Sequence, residues 1–240
     1  MKDNLNNGVS VLNKAKEVFL RNRYLKLCSI LLGCMVLVLF VFYLAISLWD
    51  KKNSFSVMVS SYGLENNNKE LNTGSIMLSS NPDFTTPSTH IDCSGISGLN
   101  NISVLDIPLD VDSIDGEHSG DDYIALTFYV KNVGIGSFIS DKVLINNCYR
   151  HVDEAIRVGI YRNGEYLQYA KLNSEGDCEY NCVGFFSDDI VSFNEYYLNE
   201  NEVVKYTIVI WLEGDDPDCT DDLFGGHINL SMEFCVVNSE

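Results

Sequence analysis

Basic residues are scarce in this 240-residue sequence, where 16 Lys and Arg stand against 34 Asp and Glu for a formal net charge of −18. Proteins that bind nucleic acids need clustered Lys and Arg to contact the phosphates. The composition therefore predicts no nucleic-acid partner. Hydrophobic residues still make up 46% of the chain, with 13 Tyr and 12 Phe, which excludes a disordered acidic tail.

Familiar catalytic motifs are also missing. The sequence contains no H-E-x-x-H zinc motif, no G-x-S-x-G nucleophile elbow and no glycine-rich phosphate loop. His118 lies among acidic residues, and we interpret it as a polar loop residue rather than a metal or acid–base site. We therefore expect no enzymatic activity and no cofactor, apart from the calcium hypothesis described below.

A long uncharged run occupies residues 27–49. At about 1.5 Å per residue, a helix of this length crosses the ~30 Å hydrocarbon core of a bilayer. The run is longer than the roughly 7–15-residue core of a signal peptide, so we expect a retained signal anchor that binds the lipid bilayer. The alternative is cleavage near Ser47, because Ala45-Ile46-Ser47 has the small residues of a cleavage site.

The charges on either side of this run predict the topology. Residues 1–26 hold six Lys and Arg and two Asp and Glu, which leaves ten basic and 32 acidic residues, a net charge of −22, for the rest of the chain. Short basic flanks remain in the cytoplasm. We therefore expect a single-pass protein of the cell membrane, with residues 1–26 as a short cytoplasmic segment and the C-terminal domain extracellular.

Residues after the run show short alternating stretches bounded by Asn, Gly, Asp and Ser, which is typical of strands. Asn163-Gly164 is the clearest hairpin signal, since both residues readily adopt the positive φ of a type I′ turn. The predicted class is all-β, a jelly roll or β-sandwich. Residues 50–72 are predicted to be a juxtamembrane segment with the first strand, and 73–240 the extracellular β-sandwich domain. The predicted strands are Ser54–Ser60, Gly74–Ser80, Tyr123–Lys131, Ile156–Arg162, Glu165–Lys171, Val203–Glu213 and His227–Val236.

Three patches in order resemble the TasA/camelysin group of Gram-positive exported proteins: Glu70–Leu78, Asp122–Gly134 and Tyr206–Glu213. Two further patches, Asp153–Val158 and Trp211–Cys219, resemble a related set of single-pass Firmicutes surface proteins. The resemblance implies a jelly-roll-like extracellular domain with a structural, adhesive or biofilm-matrix role, and self-association or surface and matrix proteins as partners.

In TasA-type fibre subunits, a freed N-terminal segment pairs with the sheet edge of a neighbouring subunit. A retained membrane helix would tether the comparable segment of this chain. The camelysin name also carries a peptidase association, which we keep as a remote alternative.

Six cysteines follow the apolar run. An even number in an oxidising compartment predicts up to three disulfides, with 15 complete pairings left open. Cys178 and Cys182 could close a small loop, whereas zinc would need a second closely spaced pair. Buried free thiols are the other alternative. The disulfide candidates are Cys93, Cys148, Cys178, Cys182, Cys219 and Cys235.

An acidic stretch between the last two predicted strands crowds five Asp into residues 215–222. A calcium ion would relieve their mutual repulsion through oxygen ligands, so an extracellular calcium- or ligand-binding module is the alternative function. The simpler interpretation, which we favour, is a solvated acidic loop. The candidate metal ligands are Asp215, Asp216, Asp218 and Asp221.

Overall fold

The computed structural model describes residues 23–44, 52–60, 76–96, 98–173 and 175–237. Near the N-terminus, helix α1 spans Arg23–Leu44 and is long and apolar enough to cross a membrane. This confirms the apolar helix, as a signal sequence or an anchor, whereas its topology stays a prediction. The cleavage-like residues 45–47 and most of the basic segment lie outside the described residues.

The remainder of the chain forms a separate compact unit, residues 51–240, which is built mainly of strands. Single turns of 3₁₀ helix lie at Val104–Asp106, Val111–Ser113, Val152–Glu154 and Asp221–Leu223. The strands are β1 Ser54–Val59, β2 Ile76–Ser79, β3 His90–Asp92, β4 Asn101–Ile102, β5 Gly116–Glu117, β6 Tyr123–Asn132, β7 Ser137–Tyr149, β8 Ile156–Arg162, β9 Glu165–Ala170, β10 Val183–Gly184, β11 Ile190–Leu198, β12 Val203–Glu213 and β13 His227–Val237.

These strands form two mixed sheets. Sheet I has the order β11-β7-β13-β1-β3, and sheet II has the order β10-β9-β8-β12-β6-β2, with β4 beside β12 and β5 beside β6. Most neighbours are antiparallel, but β1 is parallel to β13, and β10 is parallel to β9. The mostly-β class is therefore confirmed.

The larger hydrophobic core of the described residues lies between the facing sides of the two sheets, and a smaller buried cluster contains Val209 and Trp211. Phe234 of sheet I packs edge-on against Phe128 and Tyr206 of sheet II, with ring centroids 5.9 and 5.4 Å apart. Alternation along each strand directs every second side chain into this layer, and burial of these apolar surfaces stabilises the fold by about 25 cal/mol per Å².

All seven predicted strands are present, each with bounds within two residues of those predicted. The turn Asn163-Gly164 joins β8 to β9 with φ of 50° and 85°, as the hairpin signal predicts. Two long strands, β7 and β11, were not predicted. The first strand, β1, lies inside its own sheet between β13 and β3, so it is already paired on both sides.

Candidate functional site at the acidic loop

The acidic loop after β12 is anchored by a buried ion pair. Arg157 of β8 lies opposite Trp211 in the register of β8 and β12. Its guanidinium Nη2 is 2.6 Å from Oδ2 of Asp216, and the two side chains are only 3% and 1% exposed. The two sequence patches that contain these residues, Asp153–Val158 and Trp211–Cys219, thus meet in space.

The Asp216 carboxylate also shapes the backbone of the loop. Oδ1 of Asp216 accepts the N–H of Asp218 at 2.7 Å, and its carbonyl accepts the N–H of Cys219 at 3.0 Å. Nearby, Oε2 of buried Glu213 accepts the indole N–H of Trp211 at 3.0 Å. These bonds make Asp216 and Glu213 internal structural groups.

The four candidate calcium ligands do not share one environment. Asp216 is buried against Arg157, whereas Asp215, Asp218 and Asp221 are exposed. Among the residues that the structure describes, no group of three or more His, Cys, Asp or Glu side chains is placed to hold a metal ion. The geometry therefore gives the calcium hypothesis no support.

The candidate disulfide cysteines lie in several places, and Cys93, Cys148, Cys178, Cys182 and Cys219 are thiols in the structure. Cys93 is buried with its Sγ 3.6 Å from Oγ of Ser119. The Cys148 thiol donates to Asp153 at 2.9 Å. Cys235 lies on β13, where its Sγ donates to the carbonyl of Val236 at 3.6 Å. Cys178 and Cys182 lie in the loop between β9 and β10, and Cys219 is in the acidic loop.

A second charged contact supports the neighbouring turn. Nζ of Lys171 is 2.5 Å from Oδ2 of Asp153. The other carboxylate oxygen, Oδ1, accepts the hydrogen bond from the Cys148 thiol. Burial opposes ionisation of Asp153 most strongly, but the hydrogen bonds from Cys148 and Lys171 together hold its pKa below the ordinary value. Asp153 is therefore a carboxylate that fixes the start of β8.

A cleft of ≈ 440 Å³ opens beside the acidic loop. Asn101, Thr220 and Asp221 contribute polar groups to its wall, and Phe224 contributes an aromatic ring that is 87% exposed. Among the described residues, no Lys or Arg lines it. Because it combines an apolar ring with a few polar groups, the cleft can hold a small polar molecule.

A polar cluster that sequence reasoning did not find lies between the two sheets. Asp141 of β7 is 1% exposed and accepts hydrogen bonds from the Tyr206 hydroxyl at 2.8 Å and from Asn194 Nδ2 at 2.9 Å. The Tyr206 hydroxyl also lies 3.0 Å from that of Tyr196, and Arg162 covers the Tyr196 ring at 3.7 Å. Burial raises the pKa of Asp141, and the hydrogen bonds only partly oppose this.

The outer edge of sheet I carries an exposed aromatic strip, which consists of Phe138, Phe186, Phe193 and Tyr197. Strand β11 is the last strand of the sheet and pairs with β7 on one side. Tyr197 packs against Phe138 at 5.4 Å, and Phe193 packs against Phe186 at 5.7 Å. All four rings are between 36% and 64% exposed.

Comparisons with known proteins give little more. No family model matches the chain, and no curated protein matches it. Among solved structures, the chain is similar to a β-glucosidase from Kluyveromyces marxianus in complex with glucose, with 12% identity and a TM-score of 0.27. The match covers 79% of this chain but only 18% of the length of that chain. A likeness at this TM-score supports no argument about fold or function, so the resemblance to the TasA/camelysin group stays a prediction.

Proposed function

We propose that the chain is a membrane-anchored extracellular protein with a structural or adhesive role at the cell surface or in a biofilm matrix, related to the TasA group. In this proposal α1 is a retained anchor with its N-terminal side in the cytoplasm, and the β domain is a jelly-roll-like sandwich. The observation that carries the adhesive role is the exposed aromatic strip beside the outer edge of β11.

An unpaired strand edge is a template for a further strand. Over Ser192–Leu198 the outer edge of β11 has no strand partner among the described residues. Alternate residues of this segment, Phe193, Glu195 and Tyr197, point away from the core and are exposed. An edge of this length with exposed rings suits pairing between proteins.

The partner that fits this edge is a second copy of the chain. Phe193 and Tyr197 lie on β11 itself, with Glu195 between them on the same exposed side of the strand. Two antiparallel β11 edges related by a two-fold axis would bring the exposed rings of one strip towards the like rings of the other. The strip is therefore suited to self-recognition.

This mode differs from strand donation by a freed N-terminus. Because β1 is paired with both β13 and β3, donation would first require β1 to leave its own sheet. Association through β11 needs no such opening and is compatible with a retained anchor.

The test is clustering of phosphatidylcholine vesicles that carry the full chain, followed by light scattering. We expect clustering by the wild type and its loss in the double variant Phe193→Lys, Tyr197→Glu. The control is Phe224→Lys with Tyr180→Glu, which changes two rings that are 87% and 89% exposed and alters the charge equally. Clustering by both double variants, or absence of clustering by the wild type, would refute the adhesive role.

Salt gives a second readout of the same association. The net charge of −22 on residues 50–240 repels copies from one another. Raising the salt from about 0.01 to 0.15 M shortens the screening length from about 30 to 8 Å. Clustering should therefore strengthen with salt, and weakening would indicate association through ion pairs instead of the aromatic strip.

The cleft beside the acidic loop favours a second candidate function, an extracellular module that binds a small ligand, whereas calcium binding rests on the sequence alone. Calcium binding at this loop would raise the melting temperature at millimolar calcium, and the Asp215→Asn, Asp218→Asn variant would lose that rise. An unchanged melting temperature of the wild type would show that the acidic loop does not bind calcium.

A further inference from the structure

The loop between β9 and β10 folds two cysteines towards each other. The N–H of Cys182 donates to the carbonyl of Glu179 at 3.0 Å, and Asn181 has a φ of 58°, so the chain reverses direction inside the Cys178–Cys182 segment. The Cys178 thiol donates to the carbonyl of Cys182 at 3.1 Å. The side chain of Cys178 thus lies over the residue that carries the second sulfur.

This pair is also the more accessible one. Cys178 is exposed and Cys182 is half-buried. By contrast, burial raises the pKa of Cys93 to about 12 and that of Cys148 to about 11. Thiol–disulfide exchange requires an accessible thiolate, so Cys93 and Cys148 are poor participants.

We propose that Cys178 and Cys182 form a site of reversible thiol–disulfide exchange with an external disulfide, which closes the five-residue loop. One cysteine thiolate attacks a sulfur of the external disulfide and expels a thiolate. The second cysteine thiolate then attacks the protein sulfur of this mixed disulfide and expels the other external thiolate. The protein loses two electrons and two protons, and the external disulfide is reduced to two thiols.

Oxidation of the two cysteines would change the hydrogen bonds between this loop and strand β9. Gln168 Nε2 donates to the sulfur of Cys182 at 3.2 Å, and Oε1 of the same side chain accepts the Tyr166 hydroxyl at 2.9 Å. The ring of Tyr166 packs against that of Tyr161 with centroids 4.6 Å apart. Oxidation replaces the Cys182 thiol, whose S–H donates to the carbonyl of Tyr180 at 3.6 Å, by a disulfide sulfur that has no proton to donate, so it changes the polar environment beside Gln168 and Tyr166.

A competing partner is Cys219 in the acidic loop. Burial raises the pKa values of both Cys178 and Cys219, and the positive charge of Arg157 acts on both in the opposite direction. The two loops therefore approach the same guanidinium from different parts of the chain. The experiment must distinguish a Cys178–Cys182 bond from one to Cys219.

The test uses the full chain in detergent, oxidised with glutathione disulfide, alkylated and digested with chymotrypsin for mass spectrometry. Cleavage after Tyr180 separates the two cysteines, so a Cys178–Cys182 bond leaves two linked peptides that dithiothreitol releases. We expect this link in the wild type and in Cys219→Ser, and its loss in Cys182→Ser at an unchanged melting temperature. A link containing Cys219 in the wild type, or complete alkylation of Cys178 and Cys182 after oxidation, would overturn the proposal.

Discussion

Single residues hold the acidic loop in place, and Asp216 is the clearest example. Its carboxylate faces Arg157 in a nearly fully buried pair and accepts a backbone N–H. In the sequence it is one of five closely spaced Asp, and nothing in that pattern separates it from its exposed neighbours. The partner is almost 60 positions away on β8, so only the folded chain reveals the difference.

Replacing Asp216 by Ala should destabilise the protein by about 3–5 kcal/mol, because the charge of Arg157 would remain buried without its partner. Asp215→Ala is the matched control, and since Asp215 is exposed its change should stay within about 0.5 kcal/mol. Urea unfolding followed by tryptophan fluorescence measures both. Equal effects of the two substitutions would contradict the buried ion pair.

The buried carboxyl of Asp141 makes stability depend on pH. Burial raises its pKa in the folded protein above the ordinary value of 3.8, so the folded state binds this proton more tightly than the unfolded state does. The contribution of Asp141 to the free energy of unfolding is therefore largest below pH 3.8, falls as the pH rises towards the raised pKa, and is level above it.

Asp141→Asn removes this titration while keeping a side chain of the same shape. The unfolding free energy of the wild type minus that of the variant should therefore decrease as pH rises above about 4. Urea unfolding at a series of pH values gives this difference directly. A difference that is constant or grows with pH would show that Asp141 does not have a raised pKa.

Strands with apolar inward positions were predictable from the sequence, and strands with polar inward positions were not. In β6 and β12 alternate apolar residues fill the core, which the alternation rule detects. In β7 and β11 the residues Asp141 and Asn194 break this pattern. They lie directly opposite each other and form a hydrogen bond at 2.9 Å. This bond offsets the free-energy cost of removing the two polar side chains from water.

By contrast, the β8–β9 hairpin could be predicted from its local sequence alone. Gly164 has a φ of 85°, a conformation that costs an L-residue about 1–2 kcal/mol. Gly164→Ala should therefore destabilise the domain by about 1 kcal/mol, although no atom of the described residues lies within 4 Å of the added Cβ. Gly98→Ala also meets open space but has no positive φ, and it should be neutral in the same unfolding measurement. Equal losses of unfolding free energy in Gly164→Ala and Gly98→Ala would show that the positive φ of Gly164 is not the cause.

At the scale of the whole molecule, charge and hydropathy divide the chain into an apolar helix and an acidic β domain. The apolar helix α1 and the β domain are separate compact units. The scarcity of basic residues beyond residue 26 predicts an extracellular location for the acidic part. Strand β1 is paired on both sides within sheet I, so association through β11 requires no release of the chain from the membrane.

The most direct test of this account is the intact mass and N-terminal sequence of the protein from membrane and released fractions of the producing cells. A retained anchor predicts one form, which keeps residues 27–49 and occurs in the membrane fraction. A released form that starts near Leu48 would contradict the retained anchor and would make β1 available for exchange between copies.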